Sequence, residues 1–300
     1  MAMQRSSFPR SLEAGLNAVW MASEKDYPSE YPQIFEMKTA TKAVEEQVLR
    51  GGFGAAPIKP EGATVAEDEG IEGWSQRYLM VTVALKFALT QEALEDNLYR
   101  DLGAQYTKEL MRAMMETEEI MAANVLNNST STNLGDGVPL LSTAHPLLFG
   151  GTTSNKLATP ADFSESSLED ILIQIRNCVN DRNLPCAVNP KKLIVGNANY
   201  FQAVRILRSV QRVGTPDNDI NAVRAVGIFG NDPVTLRRLT DDDAWYVQTD
   251  AAYGLQFFTR KALSKGGQED FNTGNYEYKA RKRFAVGLTN FRAIWGSEGV

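Results

Sequence analysis

The feature that most restricts the fold is a proline-free stretch from Thr90 to about Asn128 with apolar residues at helical spacing. Leu94, Leu98, Leu102, Tyr106, Leu110 and Met114 fall four apart, and Thr117, Met121 and Val125 continue the stripe after one three-residue step. This spacing predicts an amphipathic helix with one buried face. Glu92, Glu95 and Asp96 sit near its start, where the helix dipole favours negative charge. Gly103 costs about 1 kcal/mol against alanine inside a helix, so a short helix followed by a long one is the second reading. At ~1.5 Å per residue the element reaches across a whole domain. It is a spine, and scaffold rather than active site.

The remaining chain is organised around it. Leu12, Leu16, Val19 and Trp20 predict a short amphipathic helix, and the prolines and tyrosines of Asp26 to Pro32 an extended segment. Such an arm has to lie on its own domain or on a neighbouring chain. Ile34 to Leu49 reads as strand or short helix. Gly51 to Trp74 carries six glycines, two prolines and the acidic cluster Glu67, Asp68 and Glu69, and Leu79 to Phe87 then alternates as a strand. A long loop between extended segments reads as a protruding hairpin, the alternative being an ordinary surface loop. Beyond the spine, Ser166 and Glu169 suggest a capping box ahead of a helix with Leu168, Ile171, Leu172, Ile175 and Val179 on one face. Leu193 to Val195 reads as a buried strand and Asn197 to Arg208 as a helix. Strands are expected at Val234–Leu239, Trp245–Gln248, Leu255–Thr259, around Tyr276–Ala280 and at Phe284–Ile294. The fold class is α+β.

Chemistry-bearing motifs are mostly missing. The one histidine, His145, lies three residues from Ser142, but no Gly-x-Ser-x-Gly elbow occurs, so a hydrolase using Ser142 and His145 is only an alternative. Gly52-Phe-Gly54 continues Ala-Ala-Pro57 and loses the dinucleotide fingerprint. Asp217, Asp219 and Asn221 start like a calcium loop, but Ala222 and Ile228 stand where its glycine and glutamate belong. Cys178 and Cys186, with no histidine near, do not make a zinc site or a disulfide framework, which fits a reducing interior. Asp241, Asp242 and Asp243 read as a solvated turn. No catalytic, cofactor or metal residue is predicted. No apolar run approaches the ~18 residues of a membrane span, so no membrane partner is expected. The 43% hydrophobic content of 300 residues can bury a sizeable core.

Charge says more. The Gly51–Trp74 loop holds Glu61, Glu67, Asp68, Glu69 and Glu72 against Lys59 alone, and the final segment holds Lys279, Arg281, Lys282, Arg283 and Arg292 against Glu298. An acidic projection and a basic strand on one chain can pair between copies, head to tail, generating rings or shells. Glu67, Asp68, Glu69, Glu72, Lys279, Arg281, Lys282 and Arg283 are therefore the candidate inter-subunit residues. The alternative is two ordinary solvated faces. A net charge of −6 argues against gripping nucleic acid over a broad surface.

The segments Gly137-Val-Pro-Leu-Leu-Ser-Thr-Ala-His-Pro146, Gly151-Thr-Thr-Ser-Asn155, Asn189-Pro-Lys-Lys-Leu-Ile-Val195 and Leu239-Thr-Asp-Asp-Asp-Ala-Trp245, in this order, resemble the major head subunit of Mu-like bacteriophages. The chain is thus similar to tailed-phage major capsid proteins of the Hong Kong 97-type fold. That resemblance implies an N-terminal arm (1–33), a peripheral-domain entry (34–50) and an extended hairpin loop (51–77). It implies next a peripheral domain (78–158) with its spine helix (90–128), an axial domain (159–260) and return strands of the peripheral domain (261–300). It implies hexamers and pentamers in an icosahedral shell that encloses double-stranded DNA without specific binding. Portal and separate scaffolding proteins, and a decoration protein, are the partners it suggests, with assembly in the bacterial cytoplasm and residence in the virion. Covalent cross-linking through Lys59, the loop's one lysine, is not predicted. A soluble ligand-binding module is the remaining alternative.

Overall fold

The computed structural model describes residues 19–20, 27–90, 99–212, 219–230, 232–270 and 273–300, with the backbone alone at 99–102 and 269. Leu12 and Leu16, the first part of the expected spine with Glu92, Leu94, Glu95, Asp96 and Leu98, and Asp217 lie outside the described residues. In chain order, a 3-10 turn at Tyr31–Gln33 leads into β1 (Glu36–Thr39). The strands β2 (Val44–Gly51) and β3 (Ile71–Leu79) follow, then β4 (Val81–Leu89) and the long helix α1 (Tyr99–Asn127). Next come β5 (His145–Pro146), β6 (Thr152–Thr153), α2 (Glu165–Arg176), β7 (Pro190–Val195), α3 (Tyr200–Arg208) and α4 (Ala222–Val226). The last part holds β8 (Val234–Thr235), β9 (Trp245–Thr249), β10 (Leu255–Glu269), β11 (Tyr276–Leu288), a second 3-10 turn (Phe291–Ala293) and β12 (Ile294–Ser297). The class is α+β.

Two four-stranded sheets carry the fold, ordered β1-β10-β11-β4 and β12-β9-β7-β8. In the first, β10 and β11 form a long antiparallel hairpin, flanked by antiparallel β4 and parallel β1. α1 lies across β11 and β4. In the second sheet alternate residues face two different cores. Leu193, Val195, Trp245 and Val247 meet Leu168, Ile171, Ile175, Ala203 and Ile206 of the helices. Ile194 and Tyr246 point the other way, into a core shared with Phe257, Phe284 and Leu288 of the first sheet. Burial on both faces is why these strands read as uninterrupted apolar runs.

The spine departs from its expected register. Leu110 and Met114 are buried against Tyr276, Tyr278 and Ala280, but Tyr106 is exposed. Past Met114 the buried line is Glu118, Ala122 and Leu126 rather than Thr117, Met121 and Val125. The expected three-residue step to Thr117 is not taken: the buried line keeps its four-residue spacing through Glu118, and a buried glutamate does not count in an apolar stripe. Gly103 lies within the helix without breaking it. Other boundaries move too. α2 is capped by Ser164, whose Oγ accepts from Ser167 N (3.2 Å) while Ser167 Oγ accepts from Ser164 N (2.9 Å), so Ser166 and Glu169 are not the box. The sheets do not part at 260/261, because β10 belongs to the first sheet from Leu255 onward, and β12 returns to the second sheet beside β9.

The described part of the arm lies on its own chain. Trp20 packs edge-on to Tyr278 at 6.5 Å, and Tyr31 stacks on Phe257 at 4.7 Å. The Tyr31 hydroxyl donates to Glu118 Oε2 (3.0 Å). The Glu119 carboxylate accepts from the backbone N–H of Glu30 (2.6 Å) and of Tyr31 (3.3 Å). Burial raises the Glu119 carboxyl above its ordinary value. Replacing Glu119 with alanine strands two backbone donors, so Glu119→Ala is expected to cost about 1–3 kcal/mol, read by chemical denaturation, and to open the segment around Glu30 to proteolysis.

Candidate inter-subunit surfaces

The β2–β3 hairpin carries residues 52–70 as a strandless tip. Its neck is braced by the chain's own body. Leu148 lies against Gly51 and Gly73, where an added Cβ would stand 3.1 and 3.0 Å from its Cδ1. Arg182 closes the neck: Nε donates to Gly52 O (3.0 Å), and Nη2 to Asp68 Oδ1 (2.9 Å) and Glu69 O (2.7 Å). The guanidinium also stacks over Phe149 at 3.9 Å. The Gly54 N–H donates to Asp68 Oδ2 (2.7 Å), and this bond, with the Arg182 charge, holds the Asp68 carboxyl below its ordinary value. Asp68 is thus engaged within its own chain. Glu61, Glu67, Glu69 and Glu72 are exposed, together with Phe53 (66%), Ile58 (96%) and Val65 (76%).

The basic strand divides by the two-residue alternation of β11. Tyr276, Tyr278 and Ala280 face α1, and Lys282 faces it as well, donating to Glu118 Oε2 at 2.7 Å with its side chain 12% exposed. Lys282 is therefore an internal ion-pair partner. Lys279, Arg281 and Arg283 lie on the opposite face. The register sets Lys86 of β4 beside Lys279, and Lys261 of β10 beside Arg283. Glu277 is the one carboxylate among them, bonded to Lys86 at 2.6 Å. The upper end of this face is covered by the hairpin base, where Tyr78 packs on Phe258 and Gly287. The lower half, with Lys279 and Arg281, is exposed. The sequence reading missed Lys86, Lys261 and Arg182; strand alternation alone would have separated Lys282 from its neighbours.

Ser142 and His145 do not form a hydrolase pair. His145 Nδ1 is bonded to Asp136 Oδ2 (2.6 Å), and Nε2 lies 3.2 Å from both Leu140 O and Asn155 Oδ1. The ring is fully buried and stacked on Phe291 at 3.9 Å. The Ser142 hydroxyl accepts instead from Ala144 N. Asn221 caps α4 by accepting from Arg224 N, a structural role. Among the described residues no helix is long and apolar enough to cross a membrane.

A family model described as "Phage capsid protein" matches residues 75–296, about three quarters of the chain. No curated protein matches the chain. Among solved structures, the virus-like particle of Pyrococcus furiosus superposes with a TM-score of 0.55 at 10% identity, over 95% of this chain and 98% of that one. The capsid of the native GTA particle gives 0.54 at 12% identity, over 88% of each chain. The procapsid of bacteriophage JBD30 gives 0.50 at 15% identity, over 95% of this chain and 74% of that one. At such identities the likeness concerns the fold.

The two halves of the basic strand separate experimentally. Lys282→Met leaves Glu118 buried without its cation and is expected to cost about 3–5 kcal/mol. Lys279→Ala and Arg281→Ala, on the open face, are expected to stay within about 0.5 kcal/mol. Thermal melts of the three purified variants decide it.

Proposed function

The chain belongs to the phage capsid protein family, as a major capsid protein with the Hong Kong 97-type fold, and we propose that its copies join by laying the acidic hairpin tip of one on the basic sheet face of another. The contact is heterologous, one patch meeting a different one, so its repetition builds rings where the rotation between copies closes. On this reading the rings are hexamers and pentamers of an icosahedral shell around double-stranded DNA, which it encloses without sequence-specific contacts. Residues 1–33 act as the arm, the β2–β3 hairpin as the extended loop, the first sheet with α1 as the peripheral domain, and the second sheet with its helices as the axial domain at the capsomer centre. Portal, scaffolding and decoration proteins complete the particle, assembled in the host cytoplasm.

The observation that carries this reading is the tip itself. A single copy leaves Phe53, Ile58 and Val65 in water among the exposed Glu61, Glu67 and Glu69, with Glu72 exposed at the start of β3. The face opposite α1 holds Lys86, Lys261, Lys279, Arg281 and Arg283 against Glu277. Complementary potentials of this kind set partner and register. A hydrolase is disfavoured by the sealed, doubly bonded His145.

Glu67, Glu69 and Glu72 are the residues to reverse, because Asp68 serves the neck. Their joint replacement by lysine is expected to abolish shells, seen by electron microscopy and sedimentation, with the subunit's melting curve unchanged. Adding Lys279→Glu, Arg281→Glu and Arg283→Glu is expected to restore assembly. Normal shells from the lysine variant would remove the pairing while leaving the family membership intact.

A further inference from the structure

Cys178 and Cys186 are eight apart in sequence, and the chain between them folds back into a tight turn. Cys186 N donates to Cys178 O (2.9 Å), Asn180 N donates to Leu184 O (2.8 Å), and Val179 and Pro185 form an antiparallel bridge. Asn180 Oδ1 ties the crown by accepting from the N–H of Arg182 (2.9 Å) and of Leu184 (3.0 Å). The two free thiols share a hydrogen bond with the sulfurs 2.9 Å apart, Cys178 buried and Cys186 partly buried. The crown of the same turn carries Arg182, the residue that closes the hairpin neck, and Asp181, which accepts from Arg292 Nη2 (3.1 Å).

We propose that Cys178 and Cys186 are a dithiol modification site, oxidised by a low-molecular-weight disulfide to an intrachain bond that pins the turn presenting Arg182. Cys186, the less buried of the two, attacks one sulfur of the reagent, forms a mixed disulfide and expels one thiolate. Cys178 then attacks the Cys186 sulfur, forms the Cys178–Cys186 bond and expels the second thiolate. The two cysteines lose two electrons, the reagent gains them as two thiols, and the two cysteine protons end on those thiols. The order follows from the surroundings. The Cys178 hydrogen bond, with the Arg292 charge nearby, draws the Cys186 thiol down to about 7. The same hydrogen bond and burial push Cys178 up. None of this depends on how copies assemble.

The test exposes the full-length folded chain to oxidised glutathione across a pH series, with peptide mapping by mass spectrometry. The expected product is one chain lacking two hydrogens, with the Cys178 and Cys186 peptides linked, formed faster as the pH rises through about 7. Cys178→Ser is expected to stop at a stable glutathione adduct on Cys186, and oxidised wild-type chain to be cleaved more slowly than reduced chain within residues 52–70. Separate adducts on both cysteines, disulfide-linked dimers, or two intact thiols after prolonged exposure would each overturn the proposal. The wild-type map stands even if a serine variant fails to fold.

Discussion

One turn of α1 holds the molecule in register through three carboxylates, of which Glu118 and Glu119 are buried. Glu116 grips the Arg238 guanidinium through both carboxylate oxygens. Glu118 receives the Tyr31 hydroxyl and the Lys282 ammonium, and Glu119 receives the arm's backbone amides. Glu30, whose amide is held there, in turn reaches Arg237 and Arg238. The partners come from the arm, from β11 and from the loop after β8, so the node exists only when all three have arrived. Buried ion pairs stabilise a fold little against apolar replacements, yet a single unpaired buried charge costs several kcal/mol. The node therefore acts against wrong registers: a spine rotated by one residue would leave Glu118 or Glu119 without donors.

The same economy governs the hairpin. Its base is seated by Tyr78 on the first sheet, and its neck by Leu148 and Arg182. The bracing contacts stop at the neck. Beyond it the tip offers carboxylates and exposed apolar side chains, and no described part of the same chain covers Ile58. Base and neck belong to the subunit, and the tip is left for the contact proposed between copies.

Much of this was legible in the sequence, and the failures are instructive. The spine, the α2 stripe and the doubly buried Leu193–Val195 run follow from period and hydropathy. The lower spine register did not, because its inward positions are glutamates whose partners lie far away in sequence. Val234–Leu239 reads as one strand but is a strand only at Val234–Thr235, because the chain turns after Leu236, whose carbonyl accepts from the Leu239 N–H (3.3 Å). The local charge pattern marked the acidic loop and the basic strand. It could not see that Asp68 and Lys282 are spent inside the chain, which needs three-dimensional neighbours for Asp68 and only the pleat for Lys282. Arg182 had no local signal at all.

The return of β12 to the second sheet has a mechanical consequence. After entering the first sheet at Leu255 the chain makes its long hairpin and then comes back, so that, with the earlier passage from β4 to β7, the two sheets are joined by three crossings over one continuous core. Such a body resists internal hinging. Any difference in curvature between one site of a closed surface and another has to be absorbed by what protrudes from the rigid block, and a single sequence can then occupy unequal positions without refolding its centre.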